Sequence, residues 1–271
     1  MDPIPGVYVK GRSESILKQR DISPQAAPVL TPCAQCPLRR VGAFSANTPE
    51  EIAFIQDFKT GEIVLPAGSL LSREGVSIGE FHTLLQGWAF RFRTLSSGSR
   101  QILNFLLPGD FIGLQDKLGA HASHGVELLT DARLCRFPAS RLWDLYTNYP
   151  SLGYDVTWIA AHEELIVDEN LVSVGQRTAA QRIAMLLIHL YKRADSVGLK
   201  HPDGRVPFPV TQQHMADALG LSLVHTNKTL RKLQASGHFE IAGGMLALKR
   251  PEAMSRLADY FALPLHGRPL I

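Results

Sequence analysis

Between Glu62 and Pro138 no apolar run continues for long without meeting turn chemistry, and this rhythm constrains the fold more than any other feature of the chain. The breaks fall at Pro66-Ala67-Gly68, Gly75, Gln86-Gly87, Ser97-Gly98 and Pro108-Gly109-Asp110. These residue types supply the fixed or left-handed backbone angles that turns need. In Trp88-Ala89-Phe90-Arg91-Phe92-Arg93 aromatics alternate with small or charged residues, as a strand with one buried face requires. The segment predicts an all-β unit, a roll or sandwich closed over its own core.

The period changes after Pro150. Leu152, Val156, Ile159 and Ile166 follow helical steps, which predicts a helix from Leu152 to Val174. These four residues are the candidate dimerisation seam, with Leu152, Ile159 and Ile166 at seven-residue intervals. Glu163 and Asn170 interrupt the stripe, and packing within the chain is the alternative. A second helix is expected from Thr178 to about Ala194, with Ile183, Leu187, Leu190 and Tyr191 inward. Thr48-Pro49-Glu50-Glu51 predicts a short capped helix ending near Phe58. The first 32 residues hold Pro3, Pro5, Pro24, Pro28 and Pro32 without periodicity, which suggests an irregular leader.

The third pattern lies near the end of the chain. Thr211-Gln212-Gln213-His214 opens a short helix with Met215, Ala218 and Leu219 on one face, and Gly220 can end it in a left-handed turn. Ser222 can cap the next helix, whose stripe Leu223, Thr226, Leu230 and Leu233 is expected to face inward. Val224, His225, Lys228, Arg231 and Lys232 then face outward, with Asn227 on the flank. His238 to Ile241, a Gly243-Gly244 turn, and Met245 to Lys249 read as a two-stranded wing. Helix, tight turn, cationic helix and hairpin are what entry into a DNA major groove requires. Lys228, Arg231 and Lys232 suit phosphates and bases, His225 and Asn227 base edges, and Val224 a thymine methyl.

Charge agrees with this. The formal net charge is only +3, yet from Arg205 to Arg250 there are six Lys/Arg against two Asp/Glu, so the positive surplus is concentrated in this unit. With 45% hydrophobic and 20% charged residues in 271, the composition is globular and the length suits two domains. The longest apolar stretches, such as Ala184 to Ile188, fall far short of the roughly 20 residues that span a bilayer. No membrane association is expected, and the absence of an apolar leader points to the cytoplasm.

Taken together, these motifs resemble the Crp/Fnr family of dimeric bacterial regulators over residues 33 to 250. The resemblance rests on Gly87, Arg100-Gln101-Ile102-Leu103-Asn104-Phe105 and Pro108-Gly109-Asp110-Phe111-Ile112-Gly113 in the barrel. In the DNA-binding unit it rests on Thr211 through Ser222 and on Leu230-Arg231-Lys232-Leu233-Gln234-Ala235-Ser236-Gly237. It implies an α+β chain: an irregular leader over 1–47, a sensory β-roll like the cyclic-nucleotide-binding jelly roll over 48–150, dimerisation and connecting helices over 151–195, and a winged helix-turn-helix over 196–271. It also implies a homodimer on a palindromic operator, RNA polymerase as a partner, and no catalysis, with Thr211, Gln212 and Ser222 joining the outward helix face at the DNA. Cyclic AMP is not expected. Leu114 and about Ala122 stand where cyclic-AMP-binding members carry a Glu and an Arg, and without the cation a cyclic phosphate is poorly neutralised. Val224, Asn227 and Lys228 depart from the oxygen regulator's Glu-x-x-Ser-Arg pattern, which implies a different half-site.

Cys33, Cys36 and Cys135 match three positions that hold an iron-sulfur cluster in the Fnr branch, while the fourth falls on Gly42. Four thiolates are usual for a cubane. The alternatives are a Cys33–Cys36 thiol switch, a zinc site completed by His82, His121 or His124, and inert buried thiols. Response to oxygen or redox state is the expected signal, with control by another ligand or by abundance as the alternative. Two other classes fare worse. A cupin-like metal enzyme lacks a ligand motif around those histidines, and a protein-binding scaffold is told apart by the salt dependence of duplex binding, whose slope a protein partner need not share.

Overall fold

The computed structural model describes residues 30–76, 79–115, 122–260 and 267–271. The expectations for the leader before residue 30 and for His121 lie outside these. Two short 3-10 turns, Cys33–Gln35 and Pro37–Arg40, precede helix α1 (Pro49–Phe58). This helix starts where the sequence predicts. Thr48 Oγ1 accepts from Glu51 N–H, and Glu51 accepts in return from Thr48 N–H at 2.9 Å, so two otherwise unpaired amides are satisfied.

Among the described residues eight strands follow: β1 (Gly61–Leu65), β2 (Leu70–Ser72), β3 (Glu80–Gln86), β4 (Ala89–Thr94), β5 (Arg100–Leu106), β6 (Phe111–Ile112), β7 (Gly125–Leu128) and β8 (Ala132–Pro138). They form two four-stranded antiparallel sheets, ordered β1-β8-β3-β6 and β2-β7-β4-β5. Leu65, Leu84, Ile112 and Leu134 from the first meet Ala89, Leu106, Val126 and Leu128 from the second in a closed core. This is the expected roll. Gly87 at φ 95° shows why a turn glycine was required, since a Cβ there would lie 2.6 Å from the Asp131 carbonyl oxygen.

Helices α2 (Leu142–Asn148), α3 (Pro150–Gln176) and α4 (Ala179–Ser196) carry the chain away from the roll. The seam expectation for α3 is corrected here. Leu152, Val156, Ile159 and Ile166 are 0 to 6% exposed in a single chain, packed into the chain's own core rather than presented to a partner. Tyr154 and Leu165 lie on the other side of the helix, 69 and 60% exposed, and half-buried Trp158 at its edge still packs against the core.

The C-terminal unit comprises β9 (Val206–Pro207), α5 (Gln212–Leu219), α6 (Leu223–Ala235), β10 (Phe239–Ala242), β11 (Met245–Leu248) and α7 (Pro251–Ala258). β9 pairs with β11 and widens the wing from the expected two strands to three. From its Gly and Pro content Ser196 to Pro209 reads as a linker, because a two-residue strand carries no periodicity. The whole is an α+β chain with an N-terminal β-roll, a long helix and a C-terminal winged helix-turn-helix. Among the described residues no helix is long and apolar enough to cross a membrane.

Candidate nucleic-acid interface

The turn between α5 and α6 is built as its residue types require. Thr211 Oγ1 accepts from His214 N–H at 3.1 Å, and Ser222 Oγ accepts from His225 N–H at 3.2 Å, so each hydroxyl caps a helix start. Gly220 ends α5 in the left-handed region at φ 61° and donates its N–H to Ala216 O. Thr226, Leu230 and Leu233 of α6 are buried against the unit's core, whereas Leu223, expected inward, is 41% exposed in the first turn. Val224 is 78% exposed, and Gln212, His225, Lys228, Arg231 and Lys232 share the open surface. Asn227 is half-buried with Oδ1 enclosed and unpartnered, so its amide does not stand free toward a base edge.

Local acids decide which cations can attract a phosphate. Arg205 pairs with Asp203 at 2.7 Å and Lys249 with Glu240 at 2.9 Å, which neutralises two cations of the wing side. Lys228, Arg231 and Lys232 form no ion pair among the described residues, and all three lie on the exposed face of α6. The uncompensated charge therefore coincides with the helix that protrudes. Such a face is built for a polyanion groove.

The roll holds this unit directly, through residues that sequence reasoning did not single out as a site. Arg100 of β5 stacks over Phe90 at 4.9 Å, pairs with Glu127 at 3.0 Å, and reaches Asp217 of α5 at 3.1 Å. Gln101 donates to Ala218 O at 3.1 Å, and the Phe90 and His214 rings lie 5.3 Å apart. Arg182 of α4 donates to Leu219 O at 2.9 Å, satisfying a carbonyl at the end of α5.

Beneath these contacts runs a buried polar chain. Arg91 of β4 pairs with Glu163 of α3 at 2.7 Å, and Asn104 of β5 donates to Glu163 at 3.2 Å. Arg193 of α4 donates to Phe105 O at 2.7 Å and pairs with Asp110 at 2.6 Å, and Arg268 pairs with Asp110 from the other side. Asp110 is fully buried. Burial alone would push its carboxyl up, but Arg193, Arg268 and the Leu107 N–H hold it at about 2. The only foreshadowing in the sequence is Pro108-Gly109-Asp110, where the acid reads simply as a turn residue. Leu114 and Ala122 are buried and apolar, so neither position offers a ribose or phosphate contact.

Cys33 and Cys135 are buried, Cys36 is half-buried, and all three are free thiols. They share one neighbourhood, since each of the others raises the Cys135 thiol, which burial already pushes up to about 12. Burial also raises Cys33. Lys59, paired with Glu62 at 2.6 Å, lies alongside. The donor set does not fit a four-thiolate cluster. Position 42 is a glycine, so three thiols stand where a cubane usually takes four, and no three metal-ligating side chains converge among the described residues. The same finding covers zinc with His82 or His124.

A β-roll joined through a long helix to a winged helix-turn-helix with an unpaired cationic recognition face defines a DNA-binding transcription regulator. Residues 62–149 match the family model of the cyclic nucleotide-binding domain, and residues 181–257 that of the Crp-like helix-turn-helix domain. The chain belongs to the Crp/Fnr family of transcription regulators. It is 26% identical over 232 residues to the nitrogen fixation regulation protein FixK of Bradyrhizobium diazoefficiens, covering 83% of this chain and 93% of that one. It is 26% identical to the transcriptional activator protein FnrL of Cereibacter sphaeroides, over 79% of this chain and 86% of the relative. Among solved structures FixK2 from Bradyrhizobium japonicum shares the fold, with a TM-score of 0.66 at 21% identity over 76% of this chain and 99% of that one.

Proposed function

We propose that the protein acts as a homodimer, placing two copies of α6 in successive major grooves of a palindromic site about 34 Å apart and regulating transcription there through RNA polymerase. The observation that carries the DNA contact is the unpaired, exposed set Lys228, Arg231 and Lys232. Val224 and His225 complete the reading face, and the hydroxyls of Thr211 and Ser222 serve it by fixing the helix starts, with Gln212 at the first of them. Support for the dimer comes from the outer face of α3. Tyr154, Trp158, Ala161, Leu165, Asp168 and Val172 repeat at alternating four- and three-residue steps, the spacing of a coiled-coil seam. Tyr154, Leu165 and Val172 are 48 to 69% exposed in the single chain.

The test is a salt titration of binding to a palindromic duplex selected from a random pool. Lys228→Ala and Arg231→Ala should each weaken binding and flatten the slope of log K against log salt by about 0.9 for each phosphate no longer neutralised. A slope and affinity equal to those of the unaltered protein would remove the assignment.

Half-buried Cys36, beside buried Cys33 and Cys135, favours a second reading for the signal, response to redox state through the thiols without a cluster, with Cys36 the thiol that an oxidant in solvent reaches first. Operator affinity of the unaltered chain and of a Cys33→Ser/Cys36→Ser/Cys135→Ser variant is compared under dithiothreitol and after hydrogen peroxide. A peroxide response confined to the unaltered chain supports it, and equal affinities in all four conditions discard it.

A further inference from the structure

The segment 267–271 does not stay with the DNA-binding unit that precedes it. Arg268 forms a parallel β-bridge with Phe44, its N–H donating to Ala43 O at 2.8 Å and its carbonyl accepting from Ser45 N–H at 2.8 Å. Its guanidinium reaches the buried carboxylate of Asp110. Pro269 is buried, Leu270 and Ile271 are 3 and 5% exposed, and Thr83 of β3 donates its hydroxyl to the backbone oxygen of Ile271 at 2.6 Å. Gly267 passes so close that a Cβ there would lie 2.7 Å from Ser45 Oγ. A strand lying on a surface by chance would not combine main-chain pairing, a cation in a closed anionic site and two aliphatic side chains out of water. That combination is how folded domains recognise extended peptides, with backbone bonds supplying adhesion and side-chain pockets supplying specificity.

We infer that residues 43–45, Thr83 and Asp110 form a peptide-binding groove on the roll, selective for an extended Arg-Pro-aliphatic-aliphatic segment, filled in this chain by Arg268 to Ile271. The seated segment ties the DNA-binding unit to the roll at a second point, besides the Arg100–Asp217 contact. Asp110 joins the tail to the connecting helix, because Arg193 from α4 and Arg268 from the tail share its carboxylate. Tethering makes the occupant intramolecular, so a modest intrinsic affinity keeps the groove filled. A peptide of the same pattern on another protein would have to displace it.

The probe is fluorescein-labelled Gly-Arg-Pro-Leu-Ile, read by anisotropy against the full chain. The unaltered protein, its groove occupied, should leave the probe free. Arg268→Glu sets a carboxylate against Asp110 and evicts the tail, and Leu270→Asp evicts it by a second route that leaves the Arg268 side chain unaltered, so both should bind the probe saturably. A probe with Ala in place of Arg should bind about tenfold or more weakly. Hydrogen exchange gives an independent reading. Ser45 N–H loses its acceptor when the tail leaves, and its protection should fall in both variants. Failure of both folded variants to bind the probe, equal binding by the unaltered chain, or unchanged Ser45 protection in both would each overturn the groove.

Discussion

Replacing Asp110 with Asn tests the buried polar chain at its centre. The amide keeps the shape of the carboxylate but leaves Arg193 and Arg268 facing a neutral group, with Asp110 fully enclosed in the native protein. Removing one member of a buried pair costs about 3–5 kcal/mol. A second figure comes from linkage. A carboxyl at 3.8 when unfolded and about 2 when folded contributes about 2 kcal/mol, at 1.36 kcal/mol per unit. For a chain of this size such losses lower the melting temperature by on the order of 10 °C. The sign also fixes the pH dependence. The folded pKa is depressed, so the contribution is whole above 3.8 and is lost as pH falls from 3.8 through about 2. Thermal unfolding of the unaltered protein and Asp110→Asn, followed by circular dichroism at intervals from neutral to acid pH, should show a gap that stays constant until about pH 4 and then closes. A gap of less than about 1 °C at neutral pH, or one that closes well above pH 4, refutes the reasoning.

Two further outcomes follow from other parts of the molecule. Leu165→Glu should dissociate the proposed dimer in sedimentation velocity, because it puts a charge on the exposed α3 stripe, while Asp168→Leu should tighten it by removing an acid from that stripe; an unchanged sedimentation coefficient for Leu165→Glu sinks the seam. His82 is buried, and desolvation lowers its imidazole to about 4 against the opposing pull of Glu80. The folded state therefore refuses a proton that the unfolded chain accepts, so stability is full above pH 6.5 and declines as pH falls toward 4, by up to about 3 kcal/mol. His82→Leu should flatten the dependence of the urea midpoint over that interval, and an unaltered slope would show that His82 already titrates freely in the folded protein.

What could be read directly was whatever is written in neighbouring residues. The capping box at Thr48, the left-handed Gly220 and the Ser222 cap are decided within four residues of themselves, and each lies where its type requires. The strand breaks of the roll are of the same kind. β9 and α7 escaped because a two-residue strand and an eight-residue helix after Pro251 are recruited by their partners, β11 and α4, rather than by their own periodicity. The Asp110 cluster escaped for a stronger version of that reason. Its members lie at positions 91, 104, 110, 163, 193 and 268, and nothing local distinguishes a turn aspartate from one that binds two guanidinium groups.

Helix α3 shows where periodicity stops being informative. It carries two apolar stripes at helical spacing, Leu152-Val156-Ile159-Ile166 and Tyr154-Trp158-Leu165-Val172, and spacing gives the existence of a face without its destination. The residue that separates them is Glu163. Read as part of a dimer seam it is an interruption, an acid placed where two copies would meet. In the structure it lies on the inward stripe, 5% exposed, against Arg91 and Asn104. A carboxylate enters a core only with a cation to meet it, and Arg91, which the alternation Phe90-Arg91-Phe92 puts on the face opposite the aromatics, is itself 6% exposed. Each group is an anomaly alone, and each accounts for the other, which assigns the Glu163 side of α3 to the roll and leaves the Leu165 side exposed.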